Sequence, residues 1–275
     1  MKKILILGGS GFIGNTLYRE LCAYFDTYGT YFSAKSYAKN QHFFQFDFEQ
    51  EGLDSILKEL KPTHIISCVR GNFEAQIELH YEIASYSVQT GCKVFFLSSA
   101  NVFDAFSNYP SYEYDKTLSE SVYGKLKIRI ENLFLRIPEK NYCIIRLPMV
   151  FGYQSPRVKE IKECISQKEP YEVFPNLVMN VTTADRLALQ IHYMINRNKS
   201  GIYHLGSSDL IHHDEFIKEL IEKLELTSPV FKNVYTSNFD RFLAVLPKDN
   251  LLPNNLQVKS AEVITETVSP LKKKD

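Results

Sequence analysis

The chain has 275 residues, of which 44% are hydrophobic and 23% are charged, a composition typical of a globular protein and not of a disordered one. Lysine plus arginine and aspartate plus glutamate each number 32, so the formal net charge of zero gives no support for nucleic-acid binding. Five cysteines without C-x-x-C spacing predict reduced thiols in a cytoplasmic protein. Only four apolar residues separate Lys3 from Gly8, and no apolar segment is long, so we expect neither a signal peptide nor a transmembrane helix.

Strand-like and helix-like segments alternate through the first half of the chain. Apolar or β-rich runs predict six strands, near residues 4–7, 27–32, 43–46, 64–68, 93–97 and 143–147. Helical spacing predicts four helices among them, over residues 11–25, 53–60, 74–89 and 116–137. This alternation predicts an α/β fold of Rossmann type, a doubly wound parallel sheet with helices on both faces.

Prolines break the second half of the chain into shorter pieces. Its pattern predicts three helices and one strand, over residues 157–167, 183–197, 214–224 and 201–205, and the last fifty residues are only weakly patterned. We expect residues 1–150 to form a dinucleotide-binding domain that also receives about residues 181–205. Residues 151–180 and 206–275 are expected to form a smaller α/β substrate-binding region, with the lysines at 272–274 in a solvated, frayed end.

A glycine-rich turn joins the first predicted strand to the first predicted helix. Small residues there permit a tight turn, let the backbone approach a pyrophosphate and bring the free N–H groups of a helix start close to it. A turn that needs only flexible residues is the alternative, but the place after an N-terminal strand favours dinucleotide binding. The residues of the turn that we assign to the cofactor are Gly8, Ser10, Gly11, Phe12, Ile13 and Gly14.

The end of the second predicted strand indicates which dinucleotide binds. NAD sites usually carry an acid about 20 residues beyond the glycines, and residues 31–35 contain none. Ser33 and Lys35 are suited to the extra phosphate of NADP, which is therefore favoured, with NAD as the alternative. Lys35 as an ordinary solvated lysine is the competing interpretation. Asp47, after the third strand, is either a partner of the adenine amino group or a turn acid.

Tyr123 and Lys127 are four residues apart and lie on one face of the predicted long helix. A neighbouring ammonium lowers the pKa of a phenol, and such a phenol can protonate a carbonyl oxygen while hydride reaches its carbon. Ser99, at the end of the fifth strand, is placed to orient the same oxygen. The spacing occurs twice more, at Tyr31/Lys35 and Tyr112/Lys116. Only the pair at 123 and 127 lies well inside the helix that follows the Ser99 strand.

These segments together resemble the extended short-chain dehydrogenase/reductase superfamily, and within it most closely the dTDP-4-dehydrorhamnose reductases. The matching segments are residues 8–14, 98–104, 123–127 with Glu131, and 146–152. The resemblance implies an NADP-dependent reductase of a 4-keto-deoxysugar nucleotide in dTDP-rhamnose biosynthesis. It assigns catalysis to Ser99, Tyr123 and Lys127, also puts Tyr123 and Lys127 at the cofactor, where Lys127 holds the nicotinamide ribose, and places Pro148 near the nicotinamide.

The chain also departs from the family pattern. Related 4,6-dehydratases carry Asp-Glu where this chain has Ala100-Asn101, so we do not expect water elimination. Residues 68–72 replace a small Ala-Ala pair, with Cys68 expected as a buried thiol at the cofactor and Arg70 expected to narrow the site or meet a phosphate or carboxylate. The remaining substrate-binding candidates are Asn101, Asn180 and Arg157. A helix-cap role for Thr182 or Thr183 and a simple helix-start cation at 157 are the alternatives.

Two other functions stay open from the sequence. A sugar-nucleotide epimerase of the same superfamily would retain NAD, and a non-catalytic relative would bind a dinucleotide to regulate a partner enzyme. The intact Ser99, Tyr123 and Lys127 set favours an enzyme with a nucleotide-sugar substrate, and a homodimer is an open alternative to a monomer. His204 and the His212-His213-Asp214 run could suggest a metal, but the run is better explained by a helix start, and we do not expect a metal.

Overall fold

The computed structural model describes residues 2–269. Fourteen β-strands occur in this range: β1 Lys3–Leu7, β2 Asp26–Tyr31, β3 Phe43–Gln45, β4 His64–Ser67, β5 Lys93–Ser99, β6 Tyr142–Leu147, β7 Met149–Phe151, β8 Tyr171–Val173, β9 Leu177–Met179, β10 Val181–Thr183, β11 Gly201–His204, β12 Ile211–His212, β13 Phe231–Asn233 and β14 Arg241–Leu243. Eight α-helices occur in the same range: α1 Phe12–Leu21, α2 Asp54–Leu60, α3 Phe73–Thr90, α4 Val122–Phe134, α5 Pro156–Gln167, α6 Ala184–Asn196, α7 His213–Lys223 and α8 Ser260–Val268.

Seven parallel strands form the central sheet in the order β11-β6-β5-β4-β1-β2-β3. The chain runs outward from β1 to β3, returns to β4 on the other side of β1, and then runs outward to β11. The predicted doubly wound α/β fold is confirmed. The direction of winding changes between β1 and β4, and ligands of such sheets bind at the carboxyl ends of the strands beside this point.

Alternating side chains of the strands feed two apolar layers, as the two-residue period of a strand requires. Leu5 and Leu7 of β1 pack on one face with α2, α3 and α4. Ile4 and Ile6 pack on the opposite face with α1 and α6. Both faces are therefore covered, and this explains why the central strands are continuous apolar runs in the sequence.

A third apolar core lies outside the sheet, among α5, α7, α8 and the short strands that follow β6. In the small sheets β7 pairs with β10, β9 with β12 and β14, and β8 with β13. Residues 201–204 and the helix before them lie with the central sheet, while residues 156–173 and 216–264 contribute to the third core. The assignment of the dinucleotide to the central sheet and of the substrate to the third core stays a prediction. The predicted frayed end at the lysines 272–274 lies outside the described residues.

The long helix predicted over residues 116–137 is shorter in the structure. It begins at Val122, because the Ser121 hydroxyl caps the N–H of Gly124 at 3.1 Å and the preceding residues form a loop. The Asp104 carboxylate holds that loop by accepting a hydrogen bond from the Glu120 N–H at 2.7 Å. Among residues 2–269, no helix combines the length and the hydropathy needed to cross a membrane.

Candidate active site

A cleft of about 700 Å³ opens at the carboxyl ends of β4, β5 and β6. A second cavity of about 360 Å³ adjoins it and is lined by the glycine turn and the end of β2. The residues that line both cavities are Phe12, Ile13, Cys68, Val69, Arg70 and Pro156. Because the cavities share this wall, one extended ligand can occupy both.

The glycine turn is held against the neighbouring strand. Thr30 Oγ1 accepts a hydrogen bond from the Gly8 N–H at 2.9 Å, and the Ser10 N–H donates to the Thr30 carbonyl oxygen at 3.1 Å. A Cβ atom at Gly14 would lie 2.1 Å from the Gly8 carbonyl oxygen, so only glycine permits α1 to start this close to the turn. No side chain caps α1, and its first residues line the second cavity. The geometry fits a dinucleotide diphosphate.

The predicted cofactor residues fall into three groups: those that line the second cavity, those that line the larger cleft and those that line neither. Those that line the second cavity are Gly8, Ser10, Gly11, Phe12, Ile13, Gly14 and Cys68, and those that line the larger cleft include Pro148, Tyr123 and Lys127. Ser33 and Lys35 are exposed beyond the end of β2 and are not part of either wall. Asp47 is also absent from the wall, and its Oδ1 accepts a hydrogen bond from the Glu49 N–H at 3.1 Å. This contact is typical of a turn acid, and the alternative role of Asp47 as a partner of the adenine amino group stays a prediction.

Ser99 and Asn101 form a hydrogen-bonded pair on the wall of the cleft. Ser99 Oγ donates to Asn101 Oδ1 at 2.9 Å and accepts from the Asn101 N–H at 3.2 Å. The sequence predicts a substrate-binding role for Asn101 but does not predict this contact. Asn101 is thus also able to fix the rotamer of the Ser99 hydroxyl.

Tyr123 reaches the same cleft from the first turn of α4. The adjacent Gly124 permits this, because a Cβ atom there would lie 2.2 Å from the Asn101 carbonyl oxygen. Tyr123 is 38% exposed, but desolvation of the phenol within the cleft raises its pKa, while the Arg70 cation and a hydrogen bond with Ser99 lower it by less. This direction is opposite to the lowered pKa expected from the spacing of Tyr123 and Lys127.

Lys127 is buried, and its ammonium group faces the sheet as well as the phenol. Its Nζ donates to the Leu97 carbonyl oxygen at 3.1 Å and lies 5.6 Å from the centre of the Tyr123 ring. Burial lowers the pKa of Lys127 to about 8, with the Arg70 cation adding to the shift and the Cys68 and Glu131 side chains opposing it.

Cys68 lies at the end of β4 and lines both cavities. Burial raises the pKa of its thiol to about 12. A thiolate nucleophile is therefore disfavoured at neutral pH, and the side chain acts as a small apolar wall.

The four substrate-binding candidates divide into two groups. Arg70, Asn101 and Arg157 line the cleft. Asn180 does not, because it is fully buried and its Nδ2 donates to the carbonyl oxygens of Ser207 at 3.1 Å and Val245 at 2.9 Å. Its Oδ1 accepts from the Val245 N–H at 3.0 Å. The amide joins three chain segments, and the expectation that Asn180 touches substrate is corrected.

The histidines considered as metal ligands have other partners. His204 Nδ1 lies 3.1 Å from the Leu246 carbonyl oxygen, and burial lowers the His204 pKa to about 3. His213 Nδ1 accepts a hydrogen bond from the Phe174 N–H at 3.3 Å. Within residues 2–269 no group of three or more His, Cys, Asp or Glu side chains is arranged to hold a metal ion.

Several residues of the cleft were missed from the sequence. Glu160 of α5 and Leu243 of β14 line it, and Thr30 holds the glycine turn. Thr30 could have been found from the sequence, because a threonine near the end of β2 is well placed to accept a hydrogen bond from the glycine turn. Leu243 had none, because it belongs to the weakly patterned end of the chain.

The fold and the site define a member of the extended short-chain dehydrogenase/reductase superfamily. The family model described as the RmlD substrate binding domain matches residues 1–255, and the chain belongs to this family. The resemblance predicted from the sequence is confirmed, and so is the class of enzyme, a reductase-like NAD(P)-dependent oxidoreductase. A search of the curated proteins found no match.

Solved structures share the fold over nearly the whole chain. A dTDP-4-dehydrorhamnose reductase from Clostridium acetobutylicum is 20% identical with a TM-score of 0.73, covering 97% of this chain and 98% of that one. The Bacillus anthracis dTDP-4-dehydrorhamnose reductase in complex with NADP is 19% identical with a TM-score of 0.75, covering 97% and 99%. The Thermus thermophilus UDP-glucose 4-epimerase in complex with NAD is 18% identical with a TM-score of 0.76, covering 97% of each chain.

Proposed function

We propose that the protein is an NADP-dependent reductase of a 4-keto-deoxysugar nucleotide. The observation that carries this proposal is the convergence of Ser99, Tyr123 and Lys127 on one cleft that adjoins the glycine-turn cavity. Membership of the family and the structural similarity to reductases of dTDP-4-dehydrorhamnose support it.

Tyr123 serves as the proton donor. Its raised pKa keeps the phenol un-ionised at neutral pH, and this is the form that reduction of a carbonyl requires. Bound NADPH supplies the hydride. The Arg70 cation and the Ser99 hydroxyl favour the phenolate left after proton transfer, so they reduce the cost of that step.

Ser99 and Lys127 prepare the site around the phenol. Asn101 holds the Ser99 hydroxyl in the cleft, from which it can turn to donate to the substrate oxygen. Lys127, fixed by the Leu97 carbonyl, is a second positive charge near the phenol and is assigned to the nicotinamide ribose by the family resemblance.

The choice of NADP over NAD rests on the end of β2. No acid follows Tyr31 before Lys35, and both Ser33 and Lys35 are exposed to solvent, where a phosphate can reach them. The reductase from Bacillus anthracis is in complex with NADP, which agrees with this choice.

The substrate belongs to the other side of the cleft. Arg157 and Glu160 of α5 line it there, so the proposal gives residues 151–180 and 206–275 the role of holding the nucleotide sugar. We also propose that the protein forms a homodimer, which a measurement of its molar mass in solution by light scattering would test. The five free thiols agree with a reducing compartment such as the cytoplasm.

The decisive experiment follows NADPH oxidation by the purified protein with a panel of 4-keto-deoxysugar nucleotides on dTDP, UDP and GDP. We expect turnover with at least one member of the panel, and a rate lower by roughly 10²–10⁴ in the Tyr123→Phe variant. Binding of NADPH and of a sugar nucleotide without turnover would favour a regulatory protein. Conversion of a sugar to its epimer without net NADPH consumption would favour an epimerase.

A further inference from the structure

Arg70 lies where the glycine-turn cavity meets the cleft that contains Tyr123, and it lines both. Two hydrogen bonds hold the loop that carries it. The Asn72 N–H donates to Glu49 Oε1 at 2.9 Å, and Gln76 Nε2 donates to the Gly71 carbonyl oxygen at 2.9 Å. The backbone beside Arg70 is therefore fixed, while its side chain is exposed.

The charges on the walls of the two cavities are unbalanced. The cations are Arg70, Lys127 and Arg157, and the acid is Glu160. Within residues 2–269, the arginines that form ion pairs are Arg129, Arg146 and Arg186. In that part of the chain Arg70 has no carboxylate partner, so its charge is available to a ligand.

Arg70 also lies close enough to the catalytic groups to act on them. Its charge lowers the pKa of both the Tyr123 phenol and the Lys127 ammonium. Two cations that repel one another across a cleft are stabilised by an anion bound between or beside them. A guanidinium is well suited to such an anion, because its planar donors form paired hydrogen bonds with phosphate.

We propose that the Arg70 guanidinium binds a phosphate group of a bound nucleotide at the junction of the two cavities. This inference rests on the proposed function, since both ligands of that reaction carry a diphosphate. The phosphate comes from the dinucleotide that lies along the glycine turn or from the sugar nucleotide in the cleft. The same chemistry recognises either one, and binding measurements separate them.

The test compares wild-type protein with Arg70→Met and Arg70→Lys. Arg129→Met is the matched control, because it removes an exposed arginine of α4 that lines neither cavity. Dissociation constants are measured for NADPH and, on protein saturated with NADP⁺, for dTDP. We expect Arg70→Met to weaken one of these ligands by about ten- to a hundredfold, the effect of losing hydrogen bonds to a charged group.

Arg70→Lys should weaken the same ligand by less, because lysine keeps the charge and loses the paired geometry. A loss confined to NADPH assigns the phosphate to the cofactor, and a loss confined to dTDP assigns it to the sugar nucleotide. If Arg70→Met does not fold, the loss in Arg70→Lys decides. Unchanged constants for both ligands in a folded Arg70 variant would overturn the proposal and leave the reductase function standing. A wild-type protein that binds neither ligand would overturn both.

Discussion

Glu131 of α4 and Arg146 of β6 form a buried ion pair. Arg146 Nη2 lies 2.7 Å from Glu131 Oε2, and the two side chains are only 3% and 2% exposed. Ser98 Oγ donates to Glu131 Oε1 at 2.5 Å, and Arg146 Nη1 donates to the Glu113 carbonyl oxygen at 2.8 Å. These contacts join α4 to β5 and β6. Glu131 lies one helical turn after Lys127, and Ser98 directly precedes Ser99.

Breaking this pair should destabilise the protein strongly. Glu131→Gln leaves the Arg146 charge buried without its counterion, which costs roughly 3–5 kcal/mol of unfolding free energy. Urea denaturation measures the change. Glu74→Gln is the matched control, because its ion pair with Arg129 is exposed and should contribute less than about 1 kcal/mol. Equal losses for the two variants would show that the buried pair has no special role in stability.

Removing the Tyr123 hydroxyl should abolish most of the activity and leave cofactor binding intact. Tyr123→Phe should reduce turnover by roughly 10²–10⁴, the usual effect of losing a general acid. Ser99→Ala should cost less, because the acid remains, and Lys127→Met should reduce both turnover and NADPH affinity. Steady-state kinetics and fluorescence titration provide the two readouts. Tyr109→Phe, at an exposed position outside the cleft, is the control. A Tyr123→Phe rate within about twofold of wild type would defeat the proposed proton donor.

The burial of Lys127 should appear in the pH dependence of stability. Its pKa is about 8 in the folded protein and 10.5 ordinarily. Between these values the unfolded chain binds more protons at this residue, so the stability contributed by Lys127 rises with pH. The unfolding free energy of wild type minus that of Lys127→Met should therefore increase from pH 7 to about pH 9.5. Lys125→Met, exposed on the same helix, is the matched control. A constant difference for Lys127→Met would contradict a buried, easily deprotonated lysine.

Reversing the charge at Lys35 should reduce the preference for NADPH over NADH. Wild-type protein is expected to bind NADPH more tightly than NADH, because Lys35 follows β2 where NAD sites carry an acid. Lys35→Glu should weaken NADPH about tenfold or more and change NADH by less than about twofold. Competition titration measures both, with Lys223→Glu on the exposed side of α7 as control. Tighter NADH binding by wild type would refute the assignment of Lys35.

The parts of the molecule that the sequence predicted are those determined by local pattern. The apolar runs at β1, β4 and β5 are buried parallel strands, and buried strands have that composition. Tyr123 could be placed in the cleft because its helix follows the Ser99 strand. Asn180 could not, because only the fold brings its amide to the backbone of Ser207 and Val245.

Long-range pairing and burial account for the other differences. Strands β13 and β14 have three residues each and pair with β8 and β9, more than fifty residues earlier in the chain. A three-residue segment is too short to show the alternation of apolar and polar residues that identifies a strand. Neither strand, nor the contact of Leu243 with the cleft, could therefore be predicted. The spacing of Tyr123 and Lys127 predicted a shared helix face but not the Leu97 carbonyl that draws the ammonium toward the sheet.

The strand that completes the central sheet, β11, is also the last of its seven to be synthesised. A nascent chain that has emerged only as far as residue 196 leaves the outer edge of β6 unpaired, with residues 143–146 lacking their partners at 201–204. Helix α6, which covers Ile4 and Ile6, also comes late. The part of the chain that forms the central sheet therefore cannot finish folding on the ribosome before residues 151–180 have been synthesised. A polypeptide truncated after residue 150 should therefore aggregate through its unpaired strand edge. Sites for fusing or splitting the protein are better chosen outside the segment between β6 and β11.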